Sequence, residues 1–361
     1  MQPIRNEDGM TGTENERGGG TGRNAAISRS QLLVLLALAF CLGLYVDRGI
    51  GLFTGGREGI VDELPAPGEG EYRFIRYAPR LARREQTRPE KGLKPFRYKV
   101  RALVESDLKT GDAAVISVYF RDLRDGHRFG IREQEKFSVD ANLKLPLMIA
   151  YLKWAESSPL LLNRRFSYPG GREGNPTGTE KPQDRSLQGK SYKVSTLILR
   201  MIADNDDQAY DVLSANLPPA YLQRIYKDIY VNYDPAKSNE PMPFSAYASF
   251  YRVLFNASYL NREMSEKALR FLSQAAYRDG IISGVPQDID VVAKYGERII
   301  EDQATGQPAG MKQLHEVGIV YHPRRPYIMG VMVRGGDPGK LKKVLRDISA
   351  LIFEEVDRQS H

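Results

Sequence analysis

The chain is poor in the residues that staple or metallate a fold. It has one cysteine, Cys41, and four histidines in 361 residues. A single cysteine excludes an intrachain disulfide, and no zinc-type Cys/His spacing is present. No metal or other cofactor is therefore expected. Excess charge is missing too: 52 Lys+Arg against 45 Asp+Glu give a formal net charge of +7, with both signs interspersed. No compact basic patch argues for nucleic acid as a partner. There is no internal repeat. What is present is ordinary for a globular protein, with 41% hydrophobic and 27% charged residues. That is enough for a sizeable core.

One long hydrophobic run stands out, QLLVLLALAFCLGLYV at 31–46. Residues 1–30, rich in Gly, Asn, Thr and charge, read as a disordered cytoplasmic tail. The run is slightly short for a spanning helix of ~20 residues. Residues 49–53 extend it past Asp47 and Arg48, which can snorkel. A cleaved signal peptide fits less well, because the leading region is long and no A-x-A site follows. A lipoprotein cysteine fits poorly, since Phe40 precedes Cys41 inside the run. The reading is a single-pass anchor at 31–53, with Arg23 and Arg29 keeping the N-terminus cytoplasmic and the bulk of the chain outside.

Residues 54–112 read as a Gly/Pro-rich linker, TGGREGIVDELPAPGEG, followed by a basic lead segment packed on the domain. The folded domain is expected from 113 to 358. Residues 114–120 alternate like a strand, Arg124-Asp125-Gly126-His127 turns, and 128–131 returns as a hairpin. An apolar helix follows at 140–157, then a loop at 168–192 rich in Gly, Pro and Asn. Helical patterns dominate from Val194 to about Ala276. Strands recur at 290–296, 316–321 and 327–333. A closing helix is capped by Asp337, opened by Pro338, and lined by Leu341, Val344, Leu345, Ile348, Leu351 and Ile352. The expected fold is α/β (α+β). A mostly antiparallel five-stranded sheet, built from 113–138 and 287–358, is flanked by N- and C-terminal helices. An all-helical lobe, 139–286, is inserted.

Three short segments carry candidate chemistry. In FSVDANLKLPLMIAYLK, Lys144 starts an apolar helix. In MIADNDDQAYDVL, Asn205-Asp206-Asp207 follows Met-Ile and precedes Ala209. In VVAKYGER, Lys294, Tyr295 and Gly296 lie on a strand. Each has a bland reading: a snorkelling lysine, a solvated capping turn, an exposed strand lysine beside a bulge glycine. Taken in order, they resemble the S-x-x-K, S-D-N and K-T-G motifs of the serine β-lactamase and penicillin-binding superfamily, class A-like branch. The likeness runs over roughly 113–357, including YASFYRVLFNASYLNREMSEKALRFL, GIISGVP and LHEVGIVYHPRRPYIMGVMVRGG.

The resemblance implies a catalytic serine at position 141, deprotonated by Lys144. This chain has Ala141 there. Ser138, six residues before the lysine, is off the helix face. The relay serine is replaced by Asn205, whose amide cannot pass a proton. The family's asparagine becomes Asp207, expected to ion-pair with Lys144. Asp206 is retained. Lys294 and Gly296 match the third motif, and Tyr295 lacks the usual small hydroxyl side chain. No clear counterpart of the deacylation glutamate exists; Glu240 lies in the right interval without its surroundings. His315 and His322 flank a strand and read as surface or structural.

The implied protein is a monomeric, membrane-anchored pseudoenzyme on the extracytoplasmic side of the cell membrane. It would bind a peptidoglycan-like peptide or a β-lactam-like small molecule. The anion pocket would comprise both lysines, Tyr295, Gly296, and the backbone N–H groups of Ala141 and Glu297. The competing expectation is an active β-lactamase or D,D-peptidase with an unorthodox nucleophile.

Overall fold

Helix α1 (Arg97–Thr110) opens the regular structure and ends on Gly111, whose left-handed φ of 73° closes its C-terminus. The computed structural model describes residues 72–75, 93–137, 143–168, 189–233, 242–301 and 308–360. All belong to one unit, Glu63–His361. Val100 and Val104 of α1 are buried, so ordered structure starts inside the span read as linker and lead segment. A basic composition hid a helix that needs only two apolar contacts per three turns.

Strands β1 (Val115–Asp122) and β2 (Arg128–Ile131) form the expected hairpin. Asp122 makes the turn by accepting N–H bonds from Arg124 and Asp125 at 2.7 and 3.4 Å. Strand β3 (Lys136–Phe137) is brief. Helix α2 (Lys144–Ala155) follows and is buried on all sides over residues 144–152. A helix apolar all round can only be a lobe's centre.

Strands β4 (Arg165–Ser167) and β5 (Ser191–Lys193) pair as a small ribbon. Around α2 stand α3 (Val194–Ala203), α4 (Asp207–Asn216) and α5 (Pro219–Asp228). After β6 (Met242–Pro243), which pairs with β3, come α6 (Phe244–Phe255) and α7 (Arg262–Ser273).

The chain then returns to the sheet through β7 (Val291–Glu301), β8 (Pro308–Val320) and β9 (Tyr327–Gly335), and closes on α8 (Pro338–Gln359). Asp337 caps α8, accepting from Gly339 and Lys340 N–H. The five-stranded sheet has the order β2-β1-β9-β8-β7 and every pairing is antiparallel. Residues 115–131 and 291–335, far apart in sequence, thus share one sheet.

Alternation along the strands gives the sheet two apolar faces. One packs on the helical lobe through Tyr119, Val292, Val317, Ile319, Ile328 and Met332. The other packs under α1 and α8 through Ile116, Phe120, Val331, Ile348 and Ile352. Gly330 lies on the first face, where a Cβ would stand 3.0 Å from the Phe244 ring. The expected anchor at 31–53 lies outside the described residues. Among the described residues no helix is long and apolar enough to cross a membrane.

Candidate active site

Lys144 occupies the first turn of α2 and is 1% exposed. Pro146 two residues on is tolerated there because first-turn N–H groups have no helical partner. The ammonium finds three acceptors: Asp207 Oδ1 at 2.6 Å, Asn205 O at 2.7 Å and Asn205 Oδ1 at 3.0 Å. That matches the three protons of a charged lysine. Burial lowers its pKa, and the Asp207 carboxylate opposes the shift. The ion pair expected from the sequence is therefore present. It is one-sided, since the Asp207 side chain is 42% exposed against 2% for Lys144.

The turn between α3 and α4 delivers both partners. Asn205 sits at φ 59°, in the left-handed region that asparagine tolerates better than most residues. That geometry aims its carbonyl and its side-chain amide at the lysine. Asp207 follows in the first turn of α4, where the helix dipole favours an anion. Asp206 holds the turn itself. Its carboxylate caps α4 through Ala209 N–H at 3.0 Å and accepts from Arg200 Nε at 2.9 Å. Tyr168 donates its hydroxyl to the same carboxylate at 3.0 Å. Every bond it makes holds the turn in shape, and none goes to a lysine.

Lys294 enters from β7. Its amine donates to Asn205 Oδ1 and to Tyr295 O, both at 2.7 Å. One amide oxygen thus bridges two buried lysines. Lys294 lies well below its ordinary pKa, first because of burial and then because of the Lys144 charge. Gly296 lies on the same face of β7, in register with His315 of β8. His315 is buried rather than a surface residue, and burial beside Lys294 pushes its pKa down to about 3. β7 is an edge strand of its sheet, so its far side is open to an extended ligand.

Tyr295 and Glu297 are expected in the ligand pocket, Glu297 through its backbone N–H. Their side chains point the other way, because strand residues alternate and Lys294 claims the cleft face. The Tyr295 ring stacks on Tyr277 at 3.6 Å, and its hydroxyl donates to Glu297 Oε2 at 2.7 Å. Lys312 closes the set with Glu297 Oε1 at 2.9 Å. The Tyr295 carbonyl reaches the cleft, where it accepts from Lys294. Behind the same strand, Glu316 accepts from Ile281 N–H at 2.6 Å, and burial pushes its carboxyl up to about 8. Its place inside an apolar strand was the one sign of this buried acid.

Ala141, Ser138 and Glu240 lie outside the described residues. Among the described residues no His/Cys/Asp/Glu group could hold a metal. The arrangement can hold charge and orient an amide.

The model of a family described as the β-lactamase enzyme family matches residues 95–356. No curated protein matches. Among solved structures, the chain is similar to PBP-A, at 14% identity and TM-score 0.60, covering 74% of this chain and 99% of that one. It is similar to a β-lactamase from Chitinophaga pinensis, at 16% identity and TM-score 0.61, covering 72% and 99%. A β-lactamase from Xanthomonas campestris shares 18% identity at TM-score 0.58, covering 72% and 97%. Identities this low speak to the fold.

Proposed function

Because the chain belongs to the β-lactamase enzyme family, we propose that it keeps the family's cleft as a binding site and has lost acyl transfer. The observation that carries this is the lysine cluster. Lys144, which would have to accept a nucleophile's proton, is instead saturated by Asp207 and Asn205. Position 141, where the nucleophile belongs, is alanine. Losing a nucleophile alone removes most of a serine hydrolase's rate.

The ligand we favour is an extended peptide with a carboxylate, of the cell-wall kind. Lys294 offers the cationic contact to the carboxylate, and the β7 edge can pair with the ligand backbone. Support by analogy comes from a PBP-A variant solved as an acyl-enzyme with penicillin G. The run at 31–53 would hold the monomeric domain at the outer face of the cell membrane. Alkaline carbonate washing of membranes tests that anchor: retention is expected, and release overturns it.

The cleft reading is tested on the full chain with a fluorescent penicillin. No covalent adduct is expected, and a stable one overturns the loss of acyl transfer. Binding is tested by titrating muropeptides against the native chain and Lys294→Ala. A weakening of roughly tenfold or more is expected for loss of a charge-assisted contact. Equal affinity removes the anion site.

A further inference from the structure

A second binding arrangement lies away from the lysines, where α7 meets the start of β7. Glu266 of α7 is 0% exposed. Its own helix supplies one donor, Arg270 Nε at 3.1 Å. Three more come from a stretch far away in sequence. The backbone N–H groups of Arg73, Phe74 and Ile75 all point at this carboxylate, at 3.0, 2.9 and 3.0 Å. Successive N–H groups converging on one anion form a nest. A buried carboxylate stripped of such donors is strongly unfavourable, so Glu266 demands an occupant.

The side chains of this segment add selectivity. Phe74 is 3% exposed and packs edge-on against Tyr321 at 5.4 Å, with Phe255 behind it. The Tyr321 hydroxyl donates to Phe74 O at 2.9 Å. Arg73 grips Asp290 with two guanidinium bonds, 2.9 and 2.6 Å. That pair is largely exposed and adds orientation more than energy. Ile75 is buried in the helical lobe's core.

The contacts span two lobes. Glu266 and Phe255 belong to the helical lobe; Asp290 and Tyr321 belong to the sheet, and Tyr321 N–H bonds Asp290 O at 2.9 Å. Asp290 immediately precedes β7, four residues before Lys294. The segment also lies some twenty residues ahead of the span matched by the family, 95–356. It is an addition to the shared domain.

We propose that this notch is a peptide-docking site whose ligand is the chain's own Arg73-Phe74-Ile75 segment, and that docking clasps α7 to β7. The ligand class is a short peptide offering three consecutive N–H groups, a leading arginine and a buried aromatic. Through β7 the clasp couples whatever holds the N-terminal region to the strand that positions Lys294.

The test uses the full chain with a protease site inserted within 82–88, cut after folding. The N-terminal fragment should stay bound to the domain through gel filtration. Arg73→Ala with Phe74→Ala should release it roughly a hundredfold faster, since a buried aromatic anchor and a charged contact are both lost. In the uncut double variant, hydrogen exchange should rise at 291–301 and leave β1–β2 unchanged. Immediate loss of the native fragment overturns the docking site, as does equal retention by native and variant chains. A cut protein that elutes as a two-copy assembly overturns the intrachain arrangement. Exchange that stays unchanged at 291–301, or rises equally throughout the domain, overturns the coupling to β7.

Discussion

Lys144 is buried at the centre of a lobe against three acceptors, one of them a carboxylate. Replacing Asp207 by asparagine leaves that ammonium buried against neutral oxygens. Loss of one partner from a fully buried pair costs ~3–5 kcal/mol. Asp207 is 42% exposed and partly solvated, so about 1–2 kcal/mol is expected here. Urea unfolding of Asp207→Asn measures it, and an unchanged midpoint would show that water already carries the charge. Glu316 gives a second prediction at this scale. Its carboxyl is raised from 4.5 to about 8, so the folded chain retains a proton that the unfolded chain has released. Stability from this group is complete below pH 4.5 and is lost as pH rises through about 8. Glu316→Gln should flatten the stability profile across that window. Parallel native and variant profiles would sink the assignment.

At the scale of elements, the α3–α4 turn is decided by one backbone angle. Asn205 combines a left-handed φ with two carbonyl oxygens facing the lysines. Asn205→Ala should lose both the tolerated conformation and the bridge, while Asn205→Gly loses only the bridge. Glycine should therefore be the milder change by about 1 kcal/mol. Chemical denaturation of the pair checks this, and alanine proving the milder would refute it. The terminal helix offers a plainer case. Asp337 caps α8 through two N–H groups, so Asp337→Ala should cost ~1 kcal/mol. The hairpin, the three terminal strands, the helical block and this cap were all legible, because each rests on local periodicity or turn chemistry. Helix α1 was not, because its apolar stripe is thin and its surface is basic.

For the whole molecule, the two faces of one sheet separate the cleft from its support. Lys294 looks into the helical lobe, and Tyr295 looks toward α8. Restoring a family-like hydroxyl by Tyr295→Thr should therefore open a cavity beside Tyr277. A destabilisation of about 3 kcal/mol is expected, read as a fall in thermal midpoint. A variant as stable as the native chain would contradict the stacked packing.

The sequence alone determined the fold class and the order of the main strands and helices, and the family resemblance implied the lysine–aspartate pair. Those follow from hydrophobic periods and from motif spacing, which are local. Tertiary structure alone decided that the Tyr295 and Glu297 side chains stand behind the cleft, and that the backbone of Arg73-Phe74-Ile75 bonds Glu266. Each of these joins residues from separate elements, and only packing assigns which face, and which distant partner, a side chain meets.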